Sequence, residues 1–203
     1  MSRWADELES RSWTEVGCGC GRGGAHLAQG IRGFLDQPIA GWSGRSLVND
    51  VIEGHAVIQS TAYETAVPVS RVLSCAVAEP AELARRRQIY HVLLSIVCCD
   101  SQGPDFEGDR PPIVTECRSI VETVKEVIYV DLAETKSPLL LNVLEYCESD
   151  DGRLRDVYDQ ILPDLPELYR GATGSSPDAM KAGEPGRGRS PRDDPAAIRP
   201  GLH

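Results

Sequence analysis

Apolar residues recur along this chain at intervals of three and four, and strict alternation is nearly absent. That spacing places one apolar stripe on each segment and reads as amphipathic helix. Leu27, Ile31 and Phe34/Leu35 predict a helix over 24–36, and Leu47/Val48 with Val51/Ile52 predict a second over 43–54. Val69, Val72/Leu73 and Ala76 mark a third over 61–78, and Ile89, Val92/Leu93 and Ile96/Val97 a fourth over 82–99. A polar loop rich in Gly, Pro and Asp follows over 100–112. A long helix is then expected over 113–133, with Ile113, Cys117, Ile120/Val121, Val124 and Val127/Ile128 on its stripe. Ser137 reads as an N-cap with Pro138 in the first helical position. That helix carries Leu140/Leu141 and Val143/Leu144 and ends near Glu148. Asp150 or Asp151 caps a last helix with Leu154, Val157/Tyr158 and Ile161/Leu162, broken by Pro163 and Pro166.

These helices fall into pairs, which makes the expected fold all-α: a short α-solenoid of antiparallel helix pairs over 1–170. First members begin near 24, 61 and 113, steps of about 40 and 50, the second lengthened by the 100–112 loop. A period of 40–47 belongs to HEAT or armadillo-like repeats. From Gly171 to His203 the composition shifts to Gly, Pro, Ser, Asp and Arg, a tail expected to be disordered because almost nothing in it can pack.

The segment HAVIQSTAYETAVPV, His55–Val69, is too apolar for a surface loop. Pro68 removes a backbone donor and is comfortable only in a first turn. Either a helix starts near Thr65, or a longer one from Thr61 bends at Pro68. Both reverse the chain between packed layers, and His55 then reads as a capping or core histidine bonded to a carbonyl.

The runs WTEVGCGCGRGGAHLAQGIRGFLD (13–36), HAVIQSTAYETAVPVSRVL (55–73) and ECRSIVETVKEVIYVDLAE (116–134) resemble a family of actinobacterial HEAT-repeat proteins over about 13–162. There a helix ends at a His, a short polar turn follows, and an Ala-Val-Pro enters the next helix, which His55 and Ala66-Val67-Pro68 match. The chain departs from the pattern after His55, with Ala56-Val57 in place of Gln-Gly. The resemblance implies an α-solenoid in a bacterial protein and brings no catalytic residues with it.

Charge narrows the class of partner. The chain carries 21 basic and 31 acidic residues, a net charge of −10. The tail has five basic and four acidic residues, so about −11 falls on the first 170. Such a body repels phosphate backbones and attracts a basic protein. The N-terminus has no signal-peptide core, and no apolar run approaches 18 residues, so neither nucleic acid nor membrane is expected as a partner. Seven cysteines, an odd number in a large chain, point to a reducing cytoplasm rather than a disulfide framework.

Candidate chemistry is sparse. Cys18, Cys20 and His26 are the best metal candidates, but one residue between the cysteines and no second Cys/His pair close by argue against zinc, so no metal or cofactor is assigned. Cys98-Cys99 reads as one buried and one surface thiol. GCGCGRGG over 17–24 could hold an anion at a helix start, yet lacks the Gly-Lys-Ser/Thr of a P-loop. His91 reads as structural, and no nucleophile elbow is present. Glu148, Asp150, Asp151, Asp156 and Asp159 crowd the last helix without calcium-loop spacing and form a candidate acidic binding face. The expected role is therefore non-enzymatic: an acidic protein-binding module, for instance an immunity protein neutralising a basic toxin. The alternatives are a regulatory helical module with a small-molecule site and an enzyme built on a thiol or carboxylate.

Overall fold

The computed structural model describes residues 2–37, 47–102 and 112–165. The predicted tail over 171–203, most of the polar loop and the start of the predicted 43–54 helix lie outside the described residues.

Among the described residues, eight α-helices carry the apolar stripes. They are α1 (Arg3–Glu9), α2 (Ala25–Asp36), α3 (Ala66–Ala78), α4 (Leu83–Val97), α5 (Ile113–Glu122), α6 (Lys125–Thr135), α7 (Pro138–Cys147) and α8 (Asp151–Ile161). The all-α expectation is met in its main feature, since among the described residues strand is confined to three two-residue pieces, β1 (Val57–Ile58), β2 (Thr61–Ala62) and β3 (Ser101–Gln102). Of the second predicted helix, one wide turn over Val48–Ile52 is present. No helix among the described residues is long and apolar enough to cross a membrane.

α3 is the central helix. Nine of its thirteen residues are buried, among them Val69, Val72, Leu73 and Val77, with Ser70 and Ser74 keeping its surface narrow where neighbours approach. It packs on α1, α4 and α5, while α7 packs on α4, α5 and α6. First helices therefore touch first helices and second touch second across the pairs α3/α4 and α5–α6/α7.

Boundaries follow local chemistry. Asp150 caps α8, its carboxylate accepting from the Gly152 and Arg153 amides at 3.0 and 3.1 Å. Ser137 stands at the N-cap of α7 with Pro138 after it, although its hydroxyl makes no capping bond. The long 113–133 helix is broken in two. The Thr123 hydroxyl donates to the Ile120 carbonyl at 2.6 Å, and the Thr123 and Val124 amides reach back three residues instead of four. A second polar tie lies between α4 and α6. Asp131, 1% exposed, accepts two bonds from Arg86 and one from the Tyr90 hydroxyl, each at 2.7 Å.

The opening of the 61–78 helix prediction is corrected. Residues 57–62 form an antiparallel hairpin pairing Val57 with Ala62 and Ile58 with Thr61. Its two loop residues, Gln59 and Ser60, both hold positive φ, 47° and 63°, which matches the strand twist of a tight hairpin. The helix then starts at Ala66, so Pro68 falls in its first turn without a bend.

Candidate metal centre

Three segments converge beside this hairpin: the loop at Cys18–Cys20, the first turn of α2 at His26 and, about thirty residues on, the turn before β1 at His55. Cys18 Sγ lies 3.3 Å from Cys20 Sγ, 3.8 Å from His26 Nε2 and 3.7 Å from His55 Nδ1. Cys20 Sγ is 3.8 Å from His26 Nε2, and the two ring nitrogens are 3.1 Å apart. All four donor atoms lie within 4.8 Å of one another.

Those separations can be compared with a tetrahedron. Zinc binds thiolate sulfur at about 2.3 Å and imidazole nitrogen at about 2.0–2.1 Å. A tetrahedral site on those bonds holds its sulfurs about 3.8 Å apart, sulfur and nitrogen about 3.6 Å, and nitrogens about 3.3 Å. Each of the five distances above lies within about 0.5 Å of these edges, and the sixth, Cys20 Sγ to His55 Nδ1, is no more than 4.8 Å, so seating an ion requires Cys20 and His55 to draw together.

Backbone chemistry builds the loop. The Gly19 amide donates to the His55 carbonyl at 2.8 Å, joining the two halves of the centre directly. Gly21, at φ +75°, turns the chain so that its amide reaches the Cys18 carbonyl at 2.8 Å. The Gly17 carbonyl accepts from the Thr65 amide at 3.1 Å, and the Gly17 amide donates to Glu64 Oε2 at 3.1 Å. The loop is thus pinned to the start of α3 as well as to His55.

The donors are set for metal. His26 Nδ1 lies 3.0 Å from the Gly23 carbonyl, which can only accept. The proton therefore resides on Nδ1 and the Nε2 lone pair faces the other three ligands, the arrangement that outer-shell carbonyls enforce on ligating histidines. Cys18 is buried and the other three are half-buried. Burial pushes the Cys18 thiol up, opposed by the Cys20 amide and the Thr65 hydroxyl. At Cys20 burial again acts upward, but hydrogen bonds from Arg22, through backbone and side chain, and from Cys18 and His55 prevail and hold it at about 6. Two sulfurs and two nitrogens in a four-point cluster leave no open position once an ion is seated. The set therefore suits a borderline-soft cation held for structure, rather than a hard cation that takes six or more oxygens.

The sequence reading named Cys18, Cys20 and His26 as the best metal candidates but assigned no metal for want of a fourth ligand nearby; the structure brings the three side chains together. That reading missed His55, and its account of the residue as a capping or core histidine is corrected: the ring faces a thiol and a second imidazole, and the residue's own carbonyl takes the Gly19 amide. The two imidazoles meet edge to face at 4.5 Å between centroids. The glycine run read as an anion site spends its Gly17, Gly19 and Gly21 amides on protein acceptors.

The acidic set does not form one face. Glu148 turns inward, its side chain 0% exposed, and accepts from Lys125 at 2.8 Å, the Tyr129 hydroxyl at 2.9 Å and the Asp150 amide at 2.9 Å. Asp150 is the α8 cap, while Asp151, Asp156 and Asp159 are exposed on that helix. Glu148 is withdrawn from any binding surface. Cys99 is buried and Cys98 half-buried, as the vicinal reading expects, and His91 is exposed on α4. Comparison with family models, curated proteins and solved structures finds no match for this chain.

Proposed function

We propose that this chain is a zinc-binding helical protein in which a closed Cys18/Cys20/His26/His55 centre fastens the N-terminal segment to the hairpin and to α3. The observation that carries this reading is the convergence of four zinc-type donor atoms within 4.8 Å, five of their six separations lying near the edges of a zinc tetrahedron. The role of the ion is structural. Four protein ligands exclude the water a catalytic zinc needs, and structural zinc sites contribute folding free energy outright. The decisive measurement is metal content of protein expressed with zinc and purified under reducing conditions. One zinc per chain is expected, with a dissociation constant below roughly 100 nM from the usual strength of structural sites. Cys18→Ser and His55→Ala should each abolish stoichiometric binding. Wild-type protein that takes up no zinc, or whose binding survives loss of all four side chains, overturns the proposal.

A second reading concerns what the fastened body does. The contacts of α3 with α5 and of α4 with α7 support a reading as stacked α-hairpins of the HEAT or armadillo-like kind expected from the helix spacing. With a net charge of −10, this supports a non-enzymatic surface for a basic protein, of the kind an immunity protein offers a toxin. Affinity capture from a bacterial lysate at low and high salt tests it: a basic protein retained only at low salt is expected, and recovery of acidic or salt-indifferent partners alone counts against it.

A further inference from the structure

We propose that the Cys18 and Cys20 sulfurs are an oxidative modification site, which a peroxide joins in a disulfide and so releases the ion. The inference rests on the zinc reading above and adds regulation to it.

The separations of the four donors divide unevenly. A zinc tetrahedron holds its sulfurs about 3.8 Å apart and its nitrogens about 3.3 Å apart. Here the sulfurs are at 3.3 Å and the nitrogens at 3.1 Å, both shorter. Three of the four sulfur–nitrogen separations, at 3.7 and 3.8 Å, are longer than the tetrahedral edge of about 3.6 Å. The donors are therefore drawn together as a sulfur pair and a nitrogen pair. Local structure makes the sulfur pair. A turn closed by the Gly21 amide on the Cys18 carbonyl at 2.8 Å spans both cysteines and folds the second back on the first.

The nitrogen pair satisfies itself. His26 keeps its proton on Nδ1, toward the Gly23 carbonyl, so its Nε2 accepts and His55 Nδ1 donates. The sulfur pair gains little as thiols, which are weak donors and weak acceptors. About 1.3 Å of approach brings it to the bonded length of about 2.0 Å. Cys18 is buried and Cys20 half-buried, so an oxidant meets Cys20 first. The Cys20 thiolate attacks one peroxide oxygen, the O–O bond breaks, and the departing hydroxide takes a proton to become water. The Cys18 thiolate then attacks the sulfenic sulfur of Cys20, forming the S–S bond and expelling a second hydroxide, which a second proton converts to water. Two electrons pass from the thiolates to the peroxide, and zinc, which has no redox chemistry, keeps its charge. The ion loses two of its four ligands, and the two imidazoles can return to each other. One residue between the cysteines makes the disulfide ring small, and strained or exposed disulfides are the readily reduced ones.

The test takes the full chain loaded with zinc, freed of reductant and treated with hydrogen peroxide in rising doses. A chromophoric chelator too weak to strip the intact centre reads zinc release, thiol titration reads oxidation, and peptide mass mapping locates it. Zinc should leave in proportion to thiol loss, two thiols for each ion, with Cys18 and Cys20 in one disulfide. A thiol reductant should restore zinc binding in full. Cys20→His keeps four zinc-type donors but removes the second sulfur, and should hold its zinc at the dose that empties the wild type. Wild-type protein that keeps its zinc while Cys98 or another thiol is oxidised overturns the inference and leaves the zinc centre standing. Zinc release with Cys18 and Cys20 unlinked, as sulfinic acids or in disulfides to other cysteines, overturns it too. So does a zinc-loaded Cys20→His chain that empties at the wild-type dose. Should that variant bind no zinc, the mass map of the wild type decides. Failure of the wild type to bind zinc is visible before any oxidant is added, and removes both the centre and this inference.

Discussion

Whether Cys18 and Cys20 can face His55 depends on a side chain that is absent. A Cβ at position 19 would lie 2.7 Å from the His55 carbonyl oxygen and 2.7 Å from Ile58 Cδ1. The first is backbone, which also holds the Gly19 amide bond, so it cannot yield without moving His55 itself. Gly19→Ala is therefore expected to cost about 1–3 kcal/mol in metal-free melting, the usual penalty of overpacking. Zinc affinity should fall in the same variant, measured by competition with a chromophoric chelator. Unchanged affinity would mean that the Cys18–His55 separation does not depend on this contact. At this scale three of the four donors could be read from the chain, since Cys18, Cys20 and His26 lie within nine residues. His55 could not, because its proximity is a product of the fold, and an isolated histidine before an apolar run carries no mark of what its ring will meet.

At the scale of elements, legibility depended on length. Helices of ten residues or more announced themselves by their stripes, and Asp150 and Pro138 marked starts that the structure keeps. The β1–β2 hairpin did not, because two-residue strands are too short to show alternation and Gln59-Ser60 lacks the Asn or Gly that usually marks such a turn. The division of α5 from α6 was hidden for the opposite reason. The apolar stripe runs through Val124 without a Pro or Gly, and the break is made by a threonine hydroxyl. The junction of α6, α7 and α8 supports a prediction about pH. Burial pushes the Glu148 carboxyl up, but Lys125, the Asp150 amide and the Tyr129 hydroxyl outweigh it and leave it below the usual glutamate range. A depressed folded pKa contributes stability above the unfolded value of about 4.3, and that contribution is lost as pH falls through the folded value. Glu148→Gln should cost about 2–3 kcal/mol at pH 7, less than for a fully buried pair because the Lys125 side chain is 25% exposed. Denaturant melts of variant and wild type should begin to converge as pH falls below the unfolded value and meet once it has passed the lower folded one. A gap that stays constant with pH would show that the carboxylate charge is not what stabilises the junction.

Over the whole described body, the all-helical class was readable because helix period dominates the sequence, whereas the site that gives the molecule chemical character lies where that period lapses. Residues 13–23 and 53–65 hold little regular helix and are joined by turns, glycines and the four donors that converge between them. Elsewhere, α3, α4, α5 and α7 bury Leu, Ile and Val against one another, away from the four donors. Stability should therefore be unevenly metal-dependent. Zinc at 100 times its dissociation constant adds about 2.7 kcal/mol by mass action, which raises the melting temperature of a domain this size by about 5–10 °C. Stripping the ion with a chelator under reducing conditions should remove that increment. In amide hydrogen exchange the loss should fall on specific protons: the Gly19 amide on the His55 carbonyl, the Thr65 amide on Gly17, and the Tyr63 amide on Ala56. Protection in α5 and α7 should persist, since local opening follows local contacts rather than the global mean. If protection falls evenly across all helices, the ion is required for the helical body as a whole. If it falls nowhere, the loop, hairpin and α3 hold together without it, and the four donors meet for another reason.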